Sequence, residues 1–309
     1  FKQKTAYEIM PSLVGSEMCI RDRLYLSGMD PFNALNYSMS AISTTGMSTT
    51  STGLTGQNFG WLNEGMHNFW IDISLIVIMV MGATSFYVHY LFRKKNYRAY
   101  FEDAEFKALL AMGLISALFI IPKLGIENGI FYAFSAITCG GFDIVPVNIV
   151  RMWPEFVKLV LIAAMFIGGS SGSTAGGIKI SRFLIFLKSI GWKAKQVLLP
   201  KDSFFPKKFE GRNLSQEEIA EVNLFILLYA LFIMIGVIVL TFNGEDISNS
   251  LFEVVSAQGN AGLSAGITKP GMNPISELML IINMFVGRLE IIPIFSIVGF
   301  ALHFRKRKR

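Results

Sequence analysis

The sequence predicts an all-α integral membrane protein assembled from repeated helix–loop–helix units. Three observations predict it: apolar blocks long enough to cross a bilayer, a short motif that recurs three times, and basic residues confined to alternate stretches between the blocks. Of the residues, 52% are hydrophobic and only 16% charged, with a mean hydropathy of +0.49. Soluble domains carry about a quarter charged residues, so a water-soluble globule is excluded. Two distant cysteines, Cys19 and Cys139, and three scattered histidines, His67, His89 and His303, share no ligand spacing. Neither a disulfide framework nor a metal centre is expected from them.

In chain order, Phe1–Arg23 (FKQKTAYEIMPSLVGSEMCIRDR) lacks the apolar core and small-residue cleavage site of a signal peptide. It resembles translated sequencing adapter and is set aside as an artefact or non-native leader. Beyond it, Phe69–Phe92, Val222–Thr241 and Ile275–Phe304 reach the roughly 20 residues a helix needs to cross the hydrocarbon core. Shorter blocks lie at Phe106–Ile121, Pro154–Ile167 and Ile178–Ile190. None shows the polar stripe of a helix that faces water. Arg93, Lys94, Lys95 and Arg98 follow the first long block, and the stretch from Lys179 to Arg212 carries Arg182, Lys188, Lys193, Lys195, Lys201, Lys207 and Lys208. The tail Arg305–Arg309 is wholly basic. By contrast Pro31–Asn68 has no Lys or Arg, and Phe242–Pro274 has only Lys269. The positive-inside rule therefore places the basic stretches in the cytoplasm and the others outside. The basic tail, beside an apolar segment, reads as a membrane flank, and no nucleic-acid partner is expected.

The recurring motif is SAISTTGMS at Ser40–Ser48, SAITCGGFD at Ser135–Asp143 and SAQGNAGLS at Ser256–Ser264. Each has Ser-Ala, four variable residues, a glycine (Gly46, Gly141, Gly262), a large apolar residue and then a small polar or acidic one. The amphipathic run before each is about half the length needed to span, so it is expected to enter the membrane and turn back. Irregular backbone at that depth is tolerated only against protein or a watery cavity. A short helix ending there points its partially negative end inward, where it favours a cation. Glycine lets the following carbonyls turn toward an axis, and rings of carbonyls can replace an ion's hydration shell. Thr44, Thr45, Thr138 and Asn260 add neutral oxygens, and no fixed positive charge lies in the three motifs.

Between two apolar stretches lies GGSSGSTAGGIK, Gly168–Lys179. Its five glycines make a continuous helix unfavourable, at about 1 kcal/mol each relative to Ala. The stretch reads as an unwound, movable segment inside a crossing helix. A phosphate-binding P-loop is the rival, but Ile178 stands where G-x-x-x-x-G-K-[ST] demands Lys. In the last block, Arg288 and Glu290 interrupt apolar sequence, and burial beside a water path is expected for them.

With these motifs in hand, the chain from Leu24 onward resembles the Trk/Ktr/HKT superfamily of potassium transporters, and most of all its bacterial TrkH branch. GGSSGSTAGGIK followed by Arg182, with NMFVGRLE at Asn283–Glu290, carries the resemblance. It implies helix–pore loop–helix units around one pseudo-symmetric pore, with K+ as the transported ion and no cofactor. It also implies a filter built from Thr44, Thr45, Gly46, Thr138, Cys139, Gly140, Gly141, Asn260, Ala261 and Gly262. A gating loop would comprise Gly168, Gly169, Gly172, Ser173, Thr174, Gly176, Gly177 and Lys179, opposite a pore arginine, Arg288. Residues 24–100 resemble the second of the family's four repeats without its outer helix, 101–200 the third and 201–309 the fourth. The first repeat is missing, and three walls of four would not enclose a tight path. The resemblance further implies a homodimer in a bacterial inner membrane, surrounded by lipid, docked on a cytosolic nucleotide-binding ring of the TrkA/KtrA kind.

Three other readings stand beside it. A sodium-permeable or proton-coupled transporter would use the same architecture, although a glycine at every filter position favours potassium in this family. An inactive fragment would follow from the missing repeat. A membrane-embedded enzyme would need a nucleophile, dyad or metal set, and Asp72, His89 and Ser170, Ser171 and Ser173 offer none at a usable spacing.

Overall fold

The structure, a computed structural model, describes residues 21–49, 54, 69–198, 207–209 and 211–289. Its helices are α1 (Pro31–Ile42), α2 (Phe69–Ala83), α3 (Phe86–Arg93), the short α4 (Ala99–Glu102), α5 (Ala104–Leu124), α6 (Ile126–Ile137), the short α7 (Val147–Arg151), α8 (Glu155–Ile167) and α9 (Ile180–Leu198). A two-residue hairpin, β1 (Lys208–Phe209) and β2 (Arg212–Asn213), then leads to α10 (Gln216–Phe242), α11 (Ile247–Gln258) and α12 (Pro274–Leu289).

The two long helices are sharply started and apolar. Asp103 caps α5 by accepting from the Phe106 amide at 2.7 Å. Ser215 and Glu218 cap α10 reciprocally, satisfying two otherwise orphaned amides. At 21 and 27 residues, both exceed the roughly 30 Å of hydrocarbon at 1.5 Å per residue. Only 28% of each apolar window is buried against protein. Leu114, Leu118 and Phe119 on α5, and Leu227, Met234 and Ile238 on α10, project outward. Contiguous apolar faces of that extent are stable against lipid and not against water: the chain is an integral membrane protein.

The apolar block Phe69–Phe92 does not form the single helix its length predicts. It is two helices, α2 and α3, bent by 99°. The carbonyls that would continue α2 are taken from outside: Ala83 O accepts from the Ser170 amide at 3.0 Å, and Gly82 O from the Thr174 amide at 3.2 Å. Thr84 Oγ1 donates back to Val80 O at 2.7 Å, a bond that competes with the helical ladder. The block at Ile275–Phe304 is described only as far as Leu289, so Glu290 and the rest of it lie outside the described residues, as do residues 1–20.

Three helices of 12 residues each, α1, α6 and α11, end at the recurring motif. Asp30 and Asp246 cap the first and last of them, while the second starts at Gly125. Residues Phe131–Ile137 of α6 and Phe252–Ser256 of α11 are buried, so these two form the centre around which the longer helices pack, while α1 leaves Phe32, Leu35 and Met39 exposed.

Candidate ion pathway

Each 12-residue helix runs into the same turn. The first residue beyond it (Ser43, Thr138, Gly259) still bonds four residues back, to Met39, Phe134 and Val255 at 3.1, 3.0 and 2.8 Å. The next amide (Thr44, Cys139, Asn260) bonds to the carbonyl of Ala41, Ala136 or Ala257, each at 3.1 Å. Those three residues are left-handed, with φ of 49°, 52° and 49°. The following amide (Thr45, Gly140, Ala261) returns to the motif serine, Ser40, Ser135 or Ser256, at 3.0, 2.9 and 2.9 Å. The motif glycines close each turn, with φ of 65°, 68° and 93°. A left-handed Thr, Cys or Asn is uncommon and costs about 1–3 kcal/mol. Its recurrence at one register of three stretches marks a built device.

The turns converge. A methyl group on Gly46 would stand 2.5 Å from Gly140 O, one on Gly141 would stand 1.8 Å from Ala261 O, and one on Gly262 would stand 3.7 Å from Thr45 O. All ten sequence-predicted filter residues therefore meet in one place, at the C-terminal, partially negative ends of three helices. Several of the expected side-chain donors are engaged locally: Thr138 donates to Phe134 O at 2.6 Å, Thr45 to Ser40 O at 3.2 Å, and Asn260 to Met284 O at 3.3 Å.

Gly168–Lys179 forms no helix and lies directly against the third turn, since a methyl group on Gly176 would stand 1.7 Å from Gly259 O. Besides its bonds to Gly82 and Ala83, its Gly172 O accepts from the Phe86 amide at 3.0 Å. Thr174 Oγ1 donates within 3.1 Å of Ile42 O and 2.9 Å of Gly82 O, and accepts from Thr44 Oγ1 at 3.1 Å. From the far side, Arg288 donates to Thr174 O at 3.2 Å. Within the segment, Ser173 donates to Ser170 O and Lys179 to Ala175 O. The strap thus touches the first turn, the α2–α3 bend, the third turn and α12. Arg288 departs from expectation in one respect: its side chain is exposed, on the open side of α12, where it reaches the strap without being enclosed.

Sequence reasoning missed two of these contacts. Glu105, buried at the head of α5, accepts from the Ser171 amide at 2.5 Å. A carboxylate that follows Glu102 and Asp103 into the apolar block was its only signal. The α2–α3 bend was also missed, since Gly82-Ala83-Thr84-Ser85 gives no helix-breaking proline.

Among known proteins, the model of the TrkH family, described as a cation transport protein, matches residues 123–304. The chain is 32% identical over 273 residues to an uncharacterized cation transporter, MJ1485, of Methanocaldococcus jannaschii, covering 88% of this chain and 54% of that protein. It is 27% identical over 285 residues to the Trk system potassium uptake protein TrkH of Escherichia coli K12, covering 87% and 56%. The fold matches the crystal structure of the potassium transporter TrkH from Vibrio parahaemolyticus with a TM-score of 0.80 at 24% identity, over 95% of this chain and 63% of that one. The chain spans about half the length of the curated relatives it matches. These relatives are transporters by name, and with the family model matching more than half of the sequence, the chain belongs to the TrkH family of cation transport proteins.

Proposed function

We propose that this chain builds most of the wall of a potassium-conducting pathway, with carbonyl turns at Gly46, Gly141 and Gly262 as its filter and Gly168–Lys179 as its gate. The single observation that carries this reading is the threefold recurrence of one strained turn at converging helix C-termini. Such ends supply carbonyl oxygens and negative potential, and the three motifs themselves carry no cationic side chain, which suits a monovalent cation stripped of water. The strap lies across the inner side of the turns and is held by hydrogen bonds that can be released, as suits a gate. Residues 24–100, 101–200 and 201–309 serve as successive repeats in this reading. The basic α9 and hairpin face the cytoplasm of a bacterial inner membrane, where a nucleotide-binding ring docks on a homodimer.

The test is growth at limiting potassium in cells without their own uptake systems. The chain from Leu24 is expressed alone and joined to the part of a relative that it does not span. Rescue by the joined form is expected. Absence of rescue with both forms present in the membrane overturns the potassium reading, and sodium sensitivity in place of rescue transfers it to a sodium-permeable transporter.

A further inference from the structure

The three turns are held from behind as well as from within. Nine positions before each filter glycine stand Tyr37, Tyr132 and Glu253, all buried. Each reaches the segment that leaves the turn, two to four positions after that glycine. Tyr37 Oη and Ser48 Oγ are 2.7 Å apart. Ser264 Oγ donates to Glu253 Oε1 at 2.9 Å, while Tyr132 takes hold one residue further on, in the returning backbone. The grip extends into the returning backbone. The amides of Ile144 and Val145 donate to Tyr132 Oη at 3.2 and 3.0 Å. Ala265 donates to Glu253 Oε2 at 2.8 Å and Thr268 N to Oε1 at 3.3 Å, with the Thr268 hydroxyl as a fourth donor.

Resting on the filter reading above, we propose that Tyr37, Tyr132 and Glu253 are positioning residues that set the bore of the filter and hence its discrimination between cations. The geometry explains why these side chains serve. A residue nine before the glycine sits on the last turns of the short helix, beside the strand that leaves the filter. Only a long, rigid or multiply bonded side chain ties the two together there. Helix and returning strand then move as one body, so the carbonyls between them cannot spread or close independently. Two tyrosines achieve this with a rigid ring, further fixed by packing: Tyr37 lies 5.9 Å from Phe142 of the next repeat and Tyr132 lies 4.6 Å from Trp153, centroid to centroid. Glu253 achieves it with charge. Its carboxylate receives four donors, about the full acceptor capacity of the group, and charge-assisted bonds are about twice as strong as neutral ones. The clamp is thus asymmetric, and the turn at Gly262 is the one most dependent on a single side chain.

The test uses the chain joined to its relative's segment, reconstituted in lipid vesicles, with 86Rb+ and 22Na+ flux measured side by side. Glu253→Ala is expected to lower the Rb+/Na+ ratio about tenfold or more, the scale of losing hydrogen bonds to a charged acceptor. Glu253→Gln, which keeps one acceptor oxygen, is expected to fall between that and the unaltered protein. Tyr132→Phe keeps the ring and removes only the hydroxyl, so it covers the case in which Glu253→Ala fails to accumulate. An unchanged ratio in Tyr132→Phe and Glu253→Gln, at normal abundance, overturns the proposal. Hydrogen exchange provides an arm that needs no flux. Faster exchange confined to residues 263–268 in Glu253→Gln, and to 143–146 in Tyr132→Phe, supports the clamp; unchanged exchange in both overturns it. Absence of flux in the unaltered protein counts against the filter reading alone.

Discussion

At the scale of single residues, the proposed pathway is decided by what cannot be added. Gly141 combines a left-handed φ of 68° with a position where a methyl group would stand 1.8 Å from Ala261 O. Two penalties coincide there: the strain of a left-handed non-glycine residue, about 1–3 kcal/mol, and a backbone overlap that no rotamer relieves. Gly262 has the φ but not the crowding, since its nearest neighbour would be Thr45 O at 3.7 Å. Gly141→Ala is therefore expected to abolish 86Rb+ uptake, whereas Gly262→Ala reduces it by about tenfold, in line with strain alone of that size. Equal loss in the two variants, at equal membrane abundance, would show that crowding between turns does not govern the filter. The glycine positions were legible because they repeat in the sequence. Crowding was not, because it depends on how closely the turns approach one another.

The elements carry the second layer of the design, and the strap is its centre. Thr174 alone contacts the α1 end, the α2 end and Thr44, while Arg288 holds its carbonyl from α12. Replacing Thr174 with valine keeps its shape and removes the hydroxyl; Arg288→Gln removes the charge. Each lost bond is worth about 0.5–1.5 kcal/mol, and up to about 3 kcal/mol where a charge is involved. The double variant is expected to raise basal cation leak by about tenfold if the strap is a gate held shut by these bonds. Leak equal to or below that of the unaltered protein would assign the strap a structural role instead. Its existence was legible from composition, since five glycines between apolar stretches resist a helix. Where it docks was not legible. The bend that receives it, at Thr84 and Ser85, exists because the strap supplies donors to Gly82 and Ala83, so each irregularity explains the other and neither is local. The short helices were easier to read, since limited length and the Ser-Ala motif lie within one window of sequence.

On the scale of the whole molecule, the repeat dictates sidedness. In the proposed reading the chain crosses as α5, enters again as α6, leaves through the turn at Gly141 and returns through α8, the strap and α9. The same course runs through α10, α11 and α12. A unit of that kind would cross and return, so in the proposed reading it begins and ends on one face and the turns at Gly46, Gly141 and Gly262 open to the other. In that reading Lys95, Lys193 and Lys195 lie at the ends of units, whereas Lys123, at the end of α5, and Lys269, after the turn at Gly262, lie on the opposite face. Desolvating a lysine in the bilayer centre costs several kcal/mol, which keeps each group of ends on its side once inserted. Single cysteines test the arrangement in the chain from Leu24, which lacks Cys19 and retains only the fully buried Cys139. Lys95→Cys and Lys193→Cys are expected to react with an impermeant maleimide only after the membrane is opened. Lys123→Cys and Lys269→Cys are expected to react in intact cells. Labelling of Lys95→Cys and Lys269→Cys from the same side would break the parity on which the common axis of the three turns depends, because those units could not then present their helix C-termini to one pathway.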